Sequence, residues 1–226
     1  MPLDNFYATL KNGTTVAAFL RQYDEIIKFV HNSRSTEDYR LGKNTMKQLR
    51  DEVTPVSRFV RLHADPEDRI RFALSNTYPD CVVCRQDGRT REIEVTVAQA
   101  QERRALMTEL NEKAIARAYL GLSDDVPYEA FKNAMGREKQ AYSSDEVFSC
   151  IEHAVDLCIR KKSKYCGDTL LIETPLETLP CSIWSEFPRR FVHNVELKSL
   201  YFSEVYVTGI RGDGSGQVRD ICLKIK

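Results

Sequence analysis

The amino-acid sequence predicts an α/β domain in which a mixed β-sheet is flanked by helices. Several segments place apolar residues three and four positions apart, a spacing typical of amphipathic helices. Other segments alternate with a period of two or are continuously apolar over a few residues, as strands are. A hairpin-rich region followed by strands linked through helices favours a mixed sheet with helices on both of its faces.

The first part of the chain predicts helices. Residues 15–30 carry an apolar stripe, and Thr14 or Thr15 supplies the N-cap. Residues 32–38 are polar and predict a loop, and a second helix is predicted from about residue 45, with a kink at Pro55. Because no internal repeat or long linker divides the chain, we predict a helical N-terminal extension over residues 1–40 and one α/β domain over residues 41–226.

The middle of the chain predicts three strands. After a turn at residues 65–68, residues 69–74 alternate with a period of two. Residues 81–85 and 90–97 form a predicted hairpin, because the intervening residues include Asp87 and Gly88, a strong turn signal. A long helix is then predicted over residues 98–120 and a short one over residues 128–140.

The last part of the chain predicts a helix capped by Ser143 or Ser144 and ending in a basic segment, residues 160–164. Residues 168–172 are continuously apolar after Asp168 and predict a buried, parallel strand. A helix over residues 182–192, interrupted by Pro188, is followed by strands at 204–210 and 218–225. The glycine-rich residues 212–216 precede a strand and predict a hairpin loop, since a phosphate-binding loop precedes a helix.

Composition excludes several classes of protein. The chain has 226 residues, of which 42% are hydrophobic, and its 33 basic residues balance 33 acidic ones, so it is neither disordered nor a generally basic nucleic-acid coat. No apolar run approaches the roughly 18 residues that span a bilayer, and no secretory signal begins the sequence. With seven cysteines, an odd number, we expect reduced thiols and a cytoplasmic location.

Cys81 and Cys84 form a C-x-x-C pattern within a predicted strand. Residues three positions apart on a strand point to opposite faces, so these two thiols are not expected to share a metal. The four histidines are dispersed along the chain and show no spacing typical of metal ligands. The candidate metal ligands and catalytic groups of this chain are therefore its carboxylates.

Two acidic residues face each other across the predicted hairpin. Asp80 and Glu94 are equidistant from residue 87, so a hairpin centred there brings them close together. Two carboxylates from adjacent strands can chelate Mg²⁺ or Mn²⁺, which orients water and stabilises the charge that develops on a phosphodiester. The alternative is that Asp80 begins a strand and that Glu92 and Glu94 line a solvent-facing sheet surface.

Pro79 and Asp80, followed by Glu94 and Thr96 and then a helix, resemble the motif of the PD-(D/E)xK nuclease superfamily. Within it, the chain is similar to uncharacterised bacterial and phage members with an Ile-Glu-Val-Thr sequence. The superfamily core is α-β-β-β-α-β, an order that the predicted elements reproduce from about residue 43 to 172. The resemblance implies a restriction-endonuclease-like core and metal-dependent hydrolysis of phosphodiester bonds, with DNA as the preferred substrate.

The resemblance also implies roles for individual residues. Asp80 and Glu94 would be metal ligands, completed by an acid on the preceding helix, for which Glu52 is the best match and Asp51 the second choice. Thr96 stands where the superfamily usually carries a lysine, and a threonine hydroxyl supplies no positive charge. The missing cation is expected from the following helix, which carries Arg103, Arg104 and Lys113, or Thr96 and Gln99 together would position the water.

A second hypothesis is a catalytically degenerate protein of the same fold that acts as a binding or regulatory module. A third is an interaction subunit of a phage or mobile-element defence system. An active enzyme would have nucleic acid as its partner, and the sequence leaves open a homodimer or another protein partner. The basic residues 160–164 are either a solvated helix end or a contact to phosphates. The zero net charge predicts weak, salt-sensitive nucleic-acid binding.

Overall fold

The computed structural model describes residues 3–32, 35–75, 77–114, 119–138, 141–174, 186–212 and 218–226. Its centre is a seven-stranded sheet in which the strands follow one another in chain order. The strands are β1 (Thr14–Thr15), β2 (Arg69–Phe72), β3 (Cys81–Cys84), β4 (Thr90–Val97), β5 (Cys166–Glu173), β6 (Tyr201–Gly212) and β7 (Val218–Lys224). Strands β1 to β4 are antiparallel neighbours, β4, β5 and β6 run parallel, and β7 is antiparallel to β6, which confirms the predicted mixed sheet.

Helices occupy most of the remaining described chain. They are α1 (Leu3–Asn12), α2 (Val16–His31), α3 (Ser35–Leu41), α4 (Met46–Gln48), α5 (Thr54–His63), α6 (Ala100–Lys113), α7 (Tyr128–Met135), α8 (Ser144–Lys162), α9 (Phe187–Arg190) and α10 (Val195–Ser199). The prediction of a loop over residues 32–38 is wrong from residue 35 onward, where α3 begins. Neither α1 nor α10 is predicted as a separate helix. The five residues of α10 are too few for a periodic apolar stripe, whereas the buried residues of α1, Phe6, Tyr7 and Leu10, have helical spacing.

Two hydrophobic cores lie on opposite faces of the sheet, which confirms helices on both sides. Helices α1, α2 and α5 cover one face, where their buried residues pack with Ile93, Val95 and Leu171. Helix α8 covers the other face and packs with Leu170 and Ile172. The alternation along β5 reflects the two faces of a strand, each buried against its own helical layer.

The N-terminal residues pack on the sheet. Strand β1 pairs with β2 and so extends the sheet at its edge. Thr15 caps α2 as predicted, since its side chain accepts a hydrogen bond from the backbone N–H of Ala18 at 3.2 Å. Phe19 is fully buried, and its ring centroid lies 5.4 Å from that of Phe72 on β2. Residues 3–31 therefore share one hydrophobic core with the sheet.

The segment before β2 is interrupted by a π-helical turn, Leu49–Val53, where a kink at Pro55 was predicted. The backbone N–H of Thr54 donates to the carbonyl of Leu49, five residues earlier, and the Thr54 hydroxyl donates to the same oxygen at 2.7 Å. Proline has no N–H to continue the α-helical pattern, so the irregular turn lies directly before it. This turn carries Glu52.

Several predicted elements differ in extent, two helices most clearly. The helix predicted over residues 98–120 begins only at Ala100, because Gln99 adopts a left-handed conformation with φ 54°, and it ends at Lys113. The helix predicted over residues 128–140 ends at Met135. Residues 115–118 and 182–185, and residues 213–216 of the glycine-rich loop, lie outside the described residues.

Candidate active site

Asp80 and Glu94 lie opposite each other, as the hairpin spacing predicts. The β3–β4 register pairs Cys81 with Ile93, so the preceding Asp80 falls across from Glu94. Asp80 is also held at this place by the backbone of β4, since the N–H of Val95 donates to its Oδ2 at 2.8 Å. The hairpin therefore brings two carboxyl groups, 14 residues apart in the sequence, to one position on the sheet.

Burial and the charge of Glu94 perturb the carboxyl group of Asp80. Glu94 is only 6% exposed. Burial raises the pKa of Asp80 to about 6, and the charge of Glu94 raises it further, against the N–H of Val95 and the charge of Lys162. The alternative of a solvent-facing Glu94 is wrong. Such perturbed carboxyl groups are common at functional sites.

Glu52 joins this pair from the π-helical turn. Burial raises its pKa to about 7, and the charges of Asp80 and Asp51 contribute, against that of Lys47. Asp51, the second choice, is committed elsewhere: its two oxygens accept hydrogen bonds from Arg50 at 2.6 and 2.9 Å. The structure thus places Glu52, rather than Asp51, beside the hairpin acids.

Two oxygens of this acidic group have no hydrogen-bond partner among the residues that the structure describes. They are Oε2 of Glu52 and Oε2 of Glu94, and both are buried. A buried carboxylate oxygen without a partner is costly, so the site favours the binding of a positive group. In the part of the chain that the structure describes, no three His, Cys, Asp or Glu side chains already form a cluster of metal-ligand geometry. The unpaired oxygens are nevertheless of the hard type that Mg²⁺ and Mn²⁺ accept.

The positive charge at the site comes from Lys162, in the last turn of α8. Its ammonium group donates a short hydrogen bond to Oε1 of Glu94 and lies 5.0 Å from the centroid of the Tyr165 ring. Lys162 is itself largely buried, with 18% of its side chain exposed. The sequence marked residues 160–164 as a basic helix end but carried no signal that singled out Lys162.

The cation predicted on the helix after β4 is therefore in the wrong place. Arg103 lines a separate cavity, the guanidinium of Arg104 lies 4.7 Å from the ring centroid of Tyr128, and Lys113 pairs with Glu109 at 3.3 Å. None of these contacts of Arg103, Arg104 and Lys113 involves Asp80 or Glu94.

The two residues predicted to position water have other partners. The Thr96 hydroxyl donates to Sγ of Cys158 on α8 at 3.8 Å. Nε2 of Gln99 donates to Oε2 of Glu102 at 3.2 Å, and Gln99 lines the separate cavity. Thr96 follows Glu94 on the same face of β4, whereas Gln99 lies beyond the end of the strand. The structure thus does not bring Gln99 to the acidic group.

The two thiols of the C-x-x-C pattern differ as predicted. Cys81 is buried in the core and Cys84 is exposed, consistent with opposite faces of β3.

Comparisons with known proteins found no matching family model, curated protein or solved structure. Among the helices of the described residues, none combines the length and apolar character required to cross a bilayer.

Proposed function

We propose that this protein is a metal-dependent nuclease that hydrolyses phosphodiester bonds, with DNA as its preferred substrate. The observation that carries the proposal is the acidic group of Glu52, Asp80 and Glu94, in which Oε2 of Glu52 and Oε2 of Glu94 have no hydrogen-bond partner among the described residues and Oε1 of Glu94 accepts from Lys162. The elements from α5 to β5 also follow the helix, three strands, helix, strand order that the resemblance implies, with α7 and α8 as added helices.

Glu52, Asp80 and Glu94 would hold Mg²⁺ or Mn²⁺. When bound, such an ion polarises a phosphoryl oxygen and lowers the pKa of a bound water. The three acids offer the oxygen ligands that these hard cations prefer. Asp80 is already oriented for this role by the N–H of Val95, and Glu52 is presented by the π-helical turn.

Lys162 would supply the positive charge that the superfamily usually obtains from a lysine at the position of Thr96. Its ammonium contacts Glu94, and a phosphodiester bound at the acidic group would develop its negative charge close to this cation. A positioned cation in a partly water-excluded site stabilises such charge more strongly than one in bulk solvent. The lysine function then comes from α8 on the same face of the sheet, rather than from β4.

The rim of the site carries further positive charge for the nucleic-acid backbone. Lys161 and Lys164 flank Lys162 and are exposed, and Lys47 lies close enough to Glu52 to lower its pKa. Since the chain as a whole is neutral, this local patch supplies the attraction for phosphates. The binding is accordingly expected to weaken steeply with added salt.

One observation favours the second candidate, a nuclease-fold binding module without catalysis. The ammonium of Lys162 occupies Oε1 of Glu94 and neutralises part of the acidic group without any metal. If Lys162 served only as a structural counterion, it would stabilise the fold, and the Glu94 oxygen that it pairs with would not be free to bind Mg²⁺.

The deciding experiment measures metal binding and cleavage together. Calorimetry with Mn²⁺ and cleavage assays on single-stranded DNA, duplex DNA and RNA are run on the wild type, Asp80→Asn and Glu94→Gln. Glu92→Gln is the matched control, because Glu92 lies on the same strand but accepts its hydrogen bond from Tyr78. Loss of Mn²⁺ binding and of cleavage in Asp80→Asn and Glu94→Gln, with both retained in Glu92→Gln, supports the nuclease. Cleavage that survives both substitutions overturns it, and a wild type that binds no Mn²⁺ supports the binding module.

A further inference from the structure

A separate cavity of 460 Å³ lies at the carboxyl ends of the parallel strands β4 and β5. Val97 and Ala98 at the end of β4, and Glu173 and Thr174 at the end of β5, form its floor. Crevices at the carboxyl ends of parallel strands are frequent ligand sites in open α/β sheets. The volume lies within the range of cavities that hold small organic molecules.

The cavity wall is rich in guanidinium groups, and one of them is unpaired. Arg40, Arg50, Arg58 and Arg103 line the cavity, against the two acids Glu102 and Glu173. Three of the four are committed: Arg58 pairs with Glu173, Arg50 with Asp51, and Arg40 donates to Asn111 at 3.1 Å. For the half-buried side chain of Arg103, no hydrogen bond or ion pair is found within the described ranges of the chain. Its charge is available to an anion.

Two buried polar groups in the same wall also lack partners. Gln99 is 1% exposed and Thr174 is 3% exposed, and neither Oε1 of Gln99 nor the Thr174 hydroxyl has a hydrogen-bond partner among the described residues. Glu102 accepts hydrogen bonds from Nε2 of Gln99 and from the backbone N–H of Leu120, which leaves Oε1 of Gln99 as an unused acceptor. Buried amide and hydroxyl groups are normally satisfied, so these two indicate a missing polar ligand.

The rest of the lining is apolar or aromatic. Leu106 and Met107 come from α6, Ile210 from β6, and the rings of Tyr39 and Tyr119 complete the wall. Such a surface suits a flat, partly apolar body, and methionine adapts readily to its shape. The occupant thus needs an anionic group, a hydrogen-bond donor and a flat ring within one small molecule.

We propose that this cavity binds a nucleoside monophosphate. The phosphate pairs with the guanidinium of Arg103, a base N–H donates to Oε1 of Gln99, the hydroxyl of Thr174 bonds the sugar or phosphate, and the base packs on Leu106 and Met107. A planar guanidinium matches phosphate oxygens in a bidentate geometry. The site is distinct from the acidic group, and the proposal does not depend on the nuclease function.

The test is calorimetry of the whole chain with the four ribonucleoside monophosphates, the corresponding nucleosides and inorganic phosphate. Wild type should bind at least one monophosphate more tightly than either the nucleoside or phosphate alone. Arg103→Gln should weaken binding by roughly 10- to 100-fold, the usual effect of removing one charge-assisted hydrogen bond. Arg104→Gln is the matched control, since Arg104 is the next residue on α6 but stacks on Tyr128 outside the cavity.

Met107→Trp provides a second variant, in which a larger side chain fills the cavity and the charge of Arg103 is kept. Loss of binding in Arg103→Gln and Met107→Trp, with retention in Arg104→Gln, supports the site, provided that circular dichroism shows all three to be folded. The proposal is overturned if no monophosphate binds the wild type, if inorganic phosphate binds as tightly as the nucleotides, or if Arg103→Gln and Arg104→Gln bind alike.

Discussion

The ammonium group of Lys162 in the last turn of α8 donates a hydrogen bond to Oε1 of Glu94 on β4, 68 residues earlier in the chain. This contact joins the helical layer on one face of the sheet to the acidic end of the β3–β4 hairpin. It supplies a positive charge near Thr96, which stands where the nuclease pattern proposed for this chain has a lysine.

With the proposed nuclease function, replacing Lys162 with methionine should lower the rate of phosphodiester cleavage by about 10²–10³-fold, as removal of one transition-state-stabilising group does elsewhere. Mn²⁺ affinity should be retained or raised, because Oε1 of Glu94 becomes free. Single-turnover cleavage and calorimetry measure the two effects, with Lys132→Met, at an exposed position of α7 outside the basic patch, as the control. Equal rates for the two variants would show that Lys162 has no part in catalysis.

Glu52 and Asp51 should behave differently although they are adjacent. Glu52→Gln removes a carboxylate with an unpaired buried oxygen and should weaken Mn²⁺ binding by at least about tenfold, or about 1.4 kcal/mol. Asp51→Asn removes the partner of Arg50 and should lower the free energy of unfolding with little change in metal affinity. Calorimetry and urea denaturation separate the two effects. The assignment fails if Asp51→Asn is the variant that loses metal binding.

The stability of the protein should fall as pH rises from about 4.5 to about 7. Burial raises the pKa of Glu102 from 4.5 to about 7, against the N–H of Leu120 and with the charge of Asp124. The folded state therefore holds its proton more tightly than the unfolded state, so the stabilisation is complete below pH 4.5 and is lost as pH passes 7. Glu102→Gln should give a shallower dependence in urea denaturation, whereas Glu112→Gln, exposed on the same helix, should not.

Phe19 tests whether the N-terminal residues unfold with the sheet. Phe19→Ala should reduce the free energy of unfolding by about 3–5 kcal/mol, because the ring is fully buried against Phe72. Phe29→Ala on the same helix should change it by less than about 0.5 kcal/mol, since Phe29 is 53% exposed. A single cooperative transition, shifted only by the first variant, is expected in thermal and urea denaturation. A sheet transition unaffected by Phe19→Ala would contradict a shared core.

Local pattern is sufficient to predict most of the sheet. The period of two in β2, the turn at Asp87 and Gly88, and the continuous apolar run of β5 are all properties of short segments, and the structure contains these strands. The pairing of Asp80 with Glu94 also follows locally, because a tight hairpin fixes register by counting from its turn. The five residues of α10 are too few for a repeated apolar stripe and give no comparable signal.

The residues that complete both sites come from parts of the chain distant in sequence, and no spacing rule predicts them. Lys162 reaches Glu94 only because α8 packs across the face of β4 and β5. Gln99, whose backbone is left-handed, lines the separate cavity at the end of β4. A hairpin contact depends on the few residues between its strands, so it can be read from the sequence. A contact between a helix and a strand depends on how whole layers pack, and that is a property of the folded chain.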